Sequence, residues 1–289
     1  MNHLEVPLTA GVWFVGVPIG TARDITLRAL DVLASADILV AEDTRSLRKL
    51  LDIHGVPLGG RRIEALHEHS RDGVIERLVT QAKEGASVAY ASEAGMPLIA
   101  DPGFELARAA RDQNVPVTCA PGPSAVLTAL VVAGLPTDAF HFAGFLPASR
   151  GARKKALEKL AAIPATVVLY ESPKRVGALL QDAAGVLGET RESAVCRELT
   201  KRFEETRRGT LGELAAFYAQ ASVKGEVVVL IDRAKTQAIN PLDMDSALKS
   251  AMTDMSVKDA AAFVAETLDV PRRQIYQRAL ALAKERDNN

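Results

Sequence analysis

The sequence predicts two α/β domains followed by a small helical appendage. Three observations carry this. Short β-rich apolar runs alternate with amphipathic stretches of helical length. The pattern restarts at Thr137, after a turn-rich stretch from Ala120 to Pro123 that is the candidate hinge. Beyond Asp232 the composition shifts, and Asn240 to Arg286 holds no convincing strand. The expected domains are 1–120, 121–235 and 236–289, and 289 residues suit this division at roughly 150 residues per domain.

Gly11–Gly16 reads as a buried first strand closed by the turn-rich segment Val17–Asp24. Thr26 caps a helix whose Leu27, Leu30, Leu33 and Ala34 recur at spacings of three and four. Asp37–Ala41 is a second strand, with Glu42, Asp43 and Arg45 at its carboxyl end, and the helix through Leu47, Leu50 and Leu51 stops near Gly55. Strands are expected at Arg62–Leu66, Ser87–Ala91 and Val115–Ala120, and helices at Asp72–Lys83, Phe104–Asp112 and Ala125–Ala133. In the second half, strands near Phe140–Gly144, Thr166–Tyr170, Ala194–Arg197 and Val227–Ile231 alternate with helices near Arg153–Ala161, Lys174–Leu187 and Leu211–Tyr218. In the appendage, Ser256–Asp259 is a capping-box signal, and Pro271 suits the first turn of a last helix bearing Arg272, Arg273 and Arg278.

Apolar residues make up 48% and charged residues 25%, the mix of an ordinary globular protein rather than a disordered or collagenous one. Lys plus Arg (35) against Asp plus Glu (36) leaves a net charge of -1, so a nucleic-acid site has to come from local clustering. Cys119 and Cys196 have no metal-type spacing, which fits a reducing compartment and argues against a disulfide framework. Cys196 sits in a strand with no base beside it and reads as buried and apolar. His67, Glu68 and His69 lack a third partner at metal spacing, so no metal is expected. No signal peptide is read at Met1–Pro7, and the most apolar stretch, Ala125–Leu135, is too short to span a bilayer. The expected location is the cytoplasm.

Four loops hold unusual residues at strand ends, where open α/β sheets bind ligands. They are Gly16–Gly20, Ala91–Pro97 with Asp101–Gly103, Pro121–Ala125, and Glu171–Pro173. One Pro-Gly cluster alone is a turn. Four of them after four strands make a pocket, because small residues let the backbone approach a ligand. Gly16-Val-Pro-Ile-Gly20 is not a dinucleotide fingerprint, no P-loop occurs, and no nucleophile-elbow triad is present. Glu42, Asp43 and Arg45 have two readings: helix-terminal charges, or a reactive cluster at a strand end. Arg150 to Lys155 carries four positive charges, and Arg61-Arg62, Lys201-Arg202, Arg207-Arg208 and Arg272-Arg273 add four pairs. If these clusters converge, they suit a phosphate backbone.

Eight motifs occur in order: Gly16-Val-Pro-Ile-Gly20, Asp24-Ile-Thr-Leu-Arg-Ala29, Ala41-Glu-Asp-Thr-Arg45, Asp101-Pro-Gly103, Pro121-Gly-Pro-Ser-Ala125, Gly134-Leu-Pro-Thr-Asp138, Tyr170-Glu-Ser-Pro173 and Arg197-Glu-Leu-Thr-Lys201. Together they closely resemble the bacterial small-subunit ribosomal RNA methyltransferases that 2'-O-methylate a decoding-centre cytidine, the RNA-acting branch of the tetrapyrrole methylase superfamily. The resemblance spans about Val12 to Ile231. Lys258-Asp-Ala-Ala261 and Pro271–Tyr276 resemble that family's C-terminal helical domain.

The resemblance implies two α/β domains of the tetrapyrrole methylase type, with S-adenosylmethionine in the cleft between them, and a homodimer. It implies that Pro18, Ala94, Gly95, Met96, Ile99, Ser124 and Ala125 line the cofactor site, with Glu171 and Leu199 approaching from the second domain. Where the family reads Ser-Asp-Ala-Gly-Thr-Pro, this chain has Ser92-Glu-Ala-Gly-Met-Pro97, and Thr21 stands where the family has Asn. Candidates for the transfer step are Glu42, Asp43, Arg45, Glu198 and Lys201. Candidates for RNA contact are Arg150, Arg153, Lys154, Lys155, Arg272 and Arg273. The implied partner is small-subunit ribosomal RNA or the assembled 30S subunit. A tetrapyrrole C-methyltransferase and a non-catalytic RNA-binding assembly factor are the rival readings. The basic clusters and the appendage argue against the first, and the intact strand-end loops argue against the second.

Overall fold

Two five-stranded sheets dominate the fold, and they are built on different plans. The computed structural model describes residues 3–66, 73–234, 241–268 and 272–287, so the His67-Glu68-His69 run and Pro271 lie outside the described residues. In the first lobe, β1 (Gly11–Val15), β2 (Ile38–Ala41), β3 (Ile63–Ala65), β4 (Ser87–Ala91) and β5 (Val117–Ala120) take the order β3-β2-β4-β1-β5. Every pairing is parallel. Parallel neighbours need crossovers, and helices α1 (Leu27–Ser35), α2 (Thr44–His54), α3 (Val74–Lys83) and α4 (Phe104–Asp112) accompany the strands. The two-residue period of β4 sorts its side chains. Val88 and Tyr90 join the core under α3 and α4, while Ala89 and Ala91 join the core under α1 and α2. Thr26 caps α1 by accepting from the Ala29 amide at 3.1 Å, and Gly55, at φ 67°, ends α2.

The second lobe contains α5 (Ala125–Ala133), β6 (Phe140–Phe145), α6 (Arg150–Ala161), β7 (Thr166–Glu171), α7 (Val176–Leu187), β8 (Glu192–Arg197), β9 (Glu205–Thr210), α8 (Leu211–Tyr218) and β10 (Val227–Ile231). Its strand order is β6-β7-β10-β8-β9, in which β6 and β7 are parallel and every other pairing is antiparallel. Helices α6, α7 and α8 cover one face of this sheet. Helix α5 covers the other: Val126, Ala129, Leu130 and Ala133 pack on Val168, Ala194, Cys196 and Val228, together with Ile19 from the first lobe. Cys196 is buried in this layer, and burial pushes its thiol pKa up. Strand β9 was not expected. Its sequence, Glu-Thr-Arg-Arg-Gly-Thr, has no apolar run because none of its residues is fully buried at this edge, where it pairs only with β8.

Met1–Arg233 and Ala234–Asn289 are separate compact units. The second unit holds α9 (Pro241–Asp254), α10 (Val257–Leu268) and α11 (Arg272–Asp287) around Leu248, Ala261, Val264, Ile275 and Leu282. The Ser256 hydroxyl accepts from the Asp259 amide at 3.2 Å and donates to the Asp259 carboxylate at 2.6 Å. Arg278 ties α11 to Asp245 of α9 at 2.7 Å. No helix among the described residues is long and apolar enough to cross a membrane.

Candidate active site

The parallel strands of the first lobe place their carboxyl ends on one side, facing the second lobe across a cavity of about 630 Å³. The first lobe contributes Pro18–Gly20 after β1, Glu42 and Ser46 after β2, Glu93–Met96 and Ile99–Asp101 after β4, and Ser124 and Ala125 after β5. The second contributes Phe145, Tyr170–Pro173, Lys201 and Gly225–Val228. A register shift between Phe142 and Gly144 bulges β6 just before Phe145, whose exposed ring meets Tyr170 edge-on at 5.6 Å.

Close backbone contacts hold the loops in place. Val17 and Gly95 exchange two hydrogen bonds, of 2.9 and 3.1 Å. Gly95 sits at φ +71°, and a Cβ there would meet Ile19 at 3.3 Å. Gly16 and Gly122 meet backbone to backbone: a Cβ on Gly16 would lie 2.6 Å from the Gly122 nitrogen. The Gly122 amide donates to Met96 Sδ at 3.2 Å, so the thioether serves as an acceptor where the family motif has a hydroxyl. The two lobes touch where the Thr21 amide donates to Thr200 Oγ1 at 3.2 Å. Five non-glycine residues have positive φ among the described residues, and four of them, Leu98, Ala100, Glu198 and Thr200, lie in loops around this cavity. Such strain persists where the surroundings over-determine it, and it clusters at functional sites.

The lining is acidic. Glu42, Glu93, Asp101, Glu171 and Glu226 line the cavity, with Lys201 as the one cation among the described lining residues. Burial, reinforced by Glu42 and Glu93, pushes Asp101 up to about 7. Burial, with Asp101 and Glu226 adding to it, pushes the Tyr170 hydroxyl up to about 12. The Glu171 side chain is 0% exposed, and its Oε1 accepts from the Ser172 amide at 2.7 Å. Its Oε2 lies 3.1 Å from Arg175 but has no aligned hydrogen bond. An acid-lined cavity walled by small-residue loops fits a cationic ligand such as a sulfonium.

Of the nine residues implied for the cofactor, eight line this cavity. The ninth, Leu199, is instead buried under the second sheet beside Ile19. Of the five transfer candidates, Glu42 and Lys201 line it. Glu42 Oε2 accepts from the Glu93 amide at 3.1 Å. Lys201 pairs with Glu198 at 3.1 Å and Glu226 at 3.0 Å; burial works against its charge, but these hydrogen bonds outweigh it and raise its pKa. Glu198 lies behind Gly225, its pKa lowered by the Glu226 amide and then by Lys201. Asp43 caps α2, accepting from the Arg45 amide at 2.8 Å and the Ser46 amide at 3.4 Å, and these contacts lower its pKa. Arg45 is 91% exposed and does not line the cavity. Asp101, Glu93, Tyr170 and Glu226 were not among the candidates. The Asp101-Pro-Gly and Tyr170-Glu-Ser-Pro motifs were the available signals.

The basic clusters need a correction. Arg153 was expected to contact RNA, but its guanidinium is 6% exposed and pairs at 2.6 Å with Asp182, itself 4% exposed. Desolvation opposes the Asp182 charge, and Arg153 and Arg150 overcome it. Arg150 shares that carboxylate at 3.1 Å while remaining 77% exposed. Arg61 is spent on the Leu33 and Ala36 carbonyls, and Arg208 on the carbonyl of Ala133 at the end of α5. Arg207 stacks 3.7 Å from the centre of the Phe217 ring. Lys155, Arg272 and Arg273 are exposed and Lys154 is half-buried.

Comparison with known proteins agrees with this architecture. The profile of the Tetrapyrrole (Corrin/Porphyrin) Methylases matches residues 11–215, and that of the RsmI C-terminal HTH domain matches residues 238–283. The chain belongs to the tetrapyrrole methylase family. A protein of Mesorhizobium japonicum named ribosomal RNA small subunit methyltransferase I is 45% identical, covering 96% of this chain and 93% of its own length. A protein of the same name from Escherichia coli O157:H7 is 40% identical, over 93% of this chain and 94% of its own. Among solved structures, uroporphyrin-III-C-methyltransferase from Thermus thermophilus superposes with a TM-score of 0.53 at 22% identity, covering 76% of this chain and 94% of that one. Diphthine synthase superposes with a TM-score of 0.58 at 15% identity, over 76% of this chain and 89% of that one. At these identities the structures show a shared fold. The sequence relatives place the chain among the methyltransferases of that fold.

Proposed function

We propose that this protein transfers a methyl group from S-adenosylmethionine to the 2'-hydroxyl of a decoding-centre cytidine in small-subunit ribosomal RNA. The observation that carries the cofactor is the acid-lined cavity walled by the small-residue loops at the strand ends of the first lobe. When bound, the cofactor supplies a methyl already activated on a sulfonium. The chain's residues then have to position the ribose, and positioning alone can supply about 7–11 kcal/mol of the barrier. The exposed Phe145 ring offers a stacking face to an unpaired base, the kind of target that sequence-specific RNA binding favours. The names of the relatives support ribosomal RNA as the substrate.

Lys154, Lys155, Arg272 and Arg273, with Arg150 in part, are the cations we assign to RNA phosphates. We read 1–120 and 121–235 as the two domains flanking the cavity and 236–289 as a third. We further propose a homodimer in the cytoplasm. Leu127 and Val131, four residues apart on α5, form an exposed apolar stripe suited to a second copy. The test is transfer of labelled methyl to 30S subunits from a strain lacking the modification, with the product mapped by ribose-methylation analysis. One labelled cytidine 2'-oxygen is the expected result. Label on a porphyrinoid, or on no RNA, overturns the reading.

A further inference from the structure

A ribose hydroxyl is a weak nucleophile, and its proton has to leave as the new bond forms. Most ionisable groups of the cavity are already engaged. Glu42 accepts from the Glu93 amide, Glu171 from the Ser172 amide, and Glu226 pairs with Lys201 at 3.0 Å. Lys201 is held charged between two carboxylates. Asp101 differs. Like Glu93, it lines the cavity with a carboxylate that no side-chain hydrogen bond or ion pair engages among the described residues, but Glu93 is exposed whereas Asp101 is half-buried.

The turn carrying Asp101 is built to hold it there. Ala100 before it is at φ +61° and Gly103 after it is at φ +116°. A Cβ on Gly103 would lie 3.0 Å from the Tyr90 ring, so the turn rests against that ring. The Tyr90 hydroxyl is buried with no hydrogen-bond partner among the described residues, and it feels the charges of Glu42 and Asp101. The charged and titratable groups around Asp101 are Glu42 after β2, Glu93 and Tyr90 on and after β4, and Tyr170 of β7 in the second lobe.

We propose that the Asp101 carboxylate accepts the proton of the hydroxyl that is methylated, an inference that rests on the reading of this chain as a ribose methyltransferase. The ribose oxygen bonds to the methyl carbon as the carbon–sulfur bond breaks, its electron pair staying on sulfur. The hydroxyl proton passes to Asp101, which later returns it to solvent. Charge balances, because the positive sulfonium and the negative carboxylate both end neutral. Burial beside two other acids brings Asp101 to about 7, where it is basic enough to take a proton and about half ionised in neutral solution.

The test compares wild type, Asp101→Asn and Asp101→Glu in single-turnover methylation of 30S subunits, alongside calorimetry with S-adenosylmethionine and melting of the ligand-free chain. The wild-type rate should fall about tenfold per pH unit below about 7. Asp101→Asn should be slower by about 100-fold or more and lose that acid limb, with cofactor affinity changed far less than the rate. Asp101→Glu should regain part of the rate together with the limb. The raised pKa makes the ionised carboxylate a destabilising group, so the ligand-free wild type loses stability as pH rises towards 7, and Asp101→Asn should not. An Asp101→Asn rate within tenfold of wild type, a retained acid limb, or a rate loss matched by lost cofactor affinity each overturns the proposal. A wild-type chain that labels no RNA overturns the functional reading on which the proposal rests.

Discussion

The two lobes have the same number of strands and contribute differently to the cavity. In the all-parallel first sheet, β1, β2, β4 and β5 deliver their following loops to one side, and those loops carry most of the small residues and three of the acids. In the mixed second sheet, β9 and β10 run against the other three strands and point their carboxyl ends away. Only the parallel pair β6 and β7, the Lys201 loop and the start of β10 reach the cavity. Strand direction thus decides which lobe forms the floor and which supplies a wall. It also decides where charge is free for chemistry. Arginines of the second lobe largely bind that lobe's own carboxylates and carbonyls.

The largest expected effect lies in the second lobe and leaves the cavity alone. Arg153→Ala leaves the buried Asp182 carboxylate with only the exposed Arg150 as a partner and should cost up to about 3–5 kcal/mol in denaturant unfolding. Arg150→Ala, which removes the exposed partner of the same carboxylate, should cost no more than about 1 kcal/mol. Equal losses from the two would erase the distinction between anchor and surface. The next effect lies in the first lobe. Gly95→Val puts a side chain at φ +71° against Ile19 and should weaken S-adenosylmethionine binding about 100-fold, or about 2.7 kcal/mol by calorimetry. Undiminished affinity would place the cofactor elsewhere. The smallest concerns a charge that sits at a strand end without serving the cavity. Asp43→Asn keeps an acceptor for the start of α2 and should leave the single-turnover rate within about twofold. Because capping lowers the Asp43 pKa, its contribution exists above the ordinary carboxylate range and disappears as pH falls through the lowered value. Melting of the Asn variant should lack that acid dependence, and a large rate loss would return Asp43 to the reaction.

Much of the fold was readable from periodicity. The expected ranges Ser87–Ala91, Phe104–Asp112, Ala125–Ala133, Leu211–Tyr218 and Val227–Ile231 coincide with β4, α4, α5, α8 and β10. Burial on both faces or on one helical stripe left an apolar pattern in each. Strand β9 left none, because none of its residues is fully buried. The insertion of β10 between β7 and β8 was equally hidden, since pairing order is a long-range property with no local pattern. The basic run was misread at Arg153 because its partner Asp182 lies 29 residues away, on another helix. The strand-end loops were legible as small-residue clusters. The acidity of Asp101 was not, because it arises from Glu42 and Glu93 gathering around it.

The meeting of Gly16 and Gly122 restricts how this protein can be recombined. Where two main chains cross with no side chain between them, and Met96 sulfur fills the remaining corner, three positions distant in sequence form one joint. A chimera that takes its first 120 residues from one relative and the remainder from another divides that joint between two parents. Such hybrids should assemble only when residues 16, 96 and 122 are transplanted as a set.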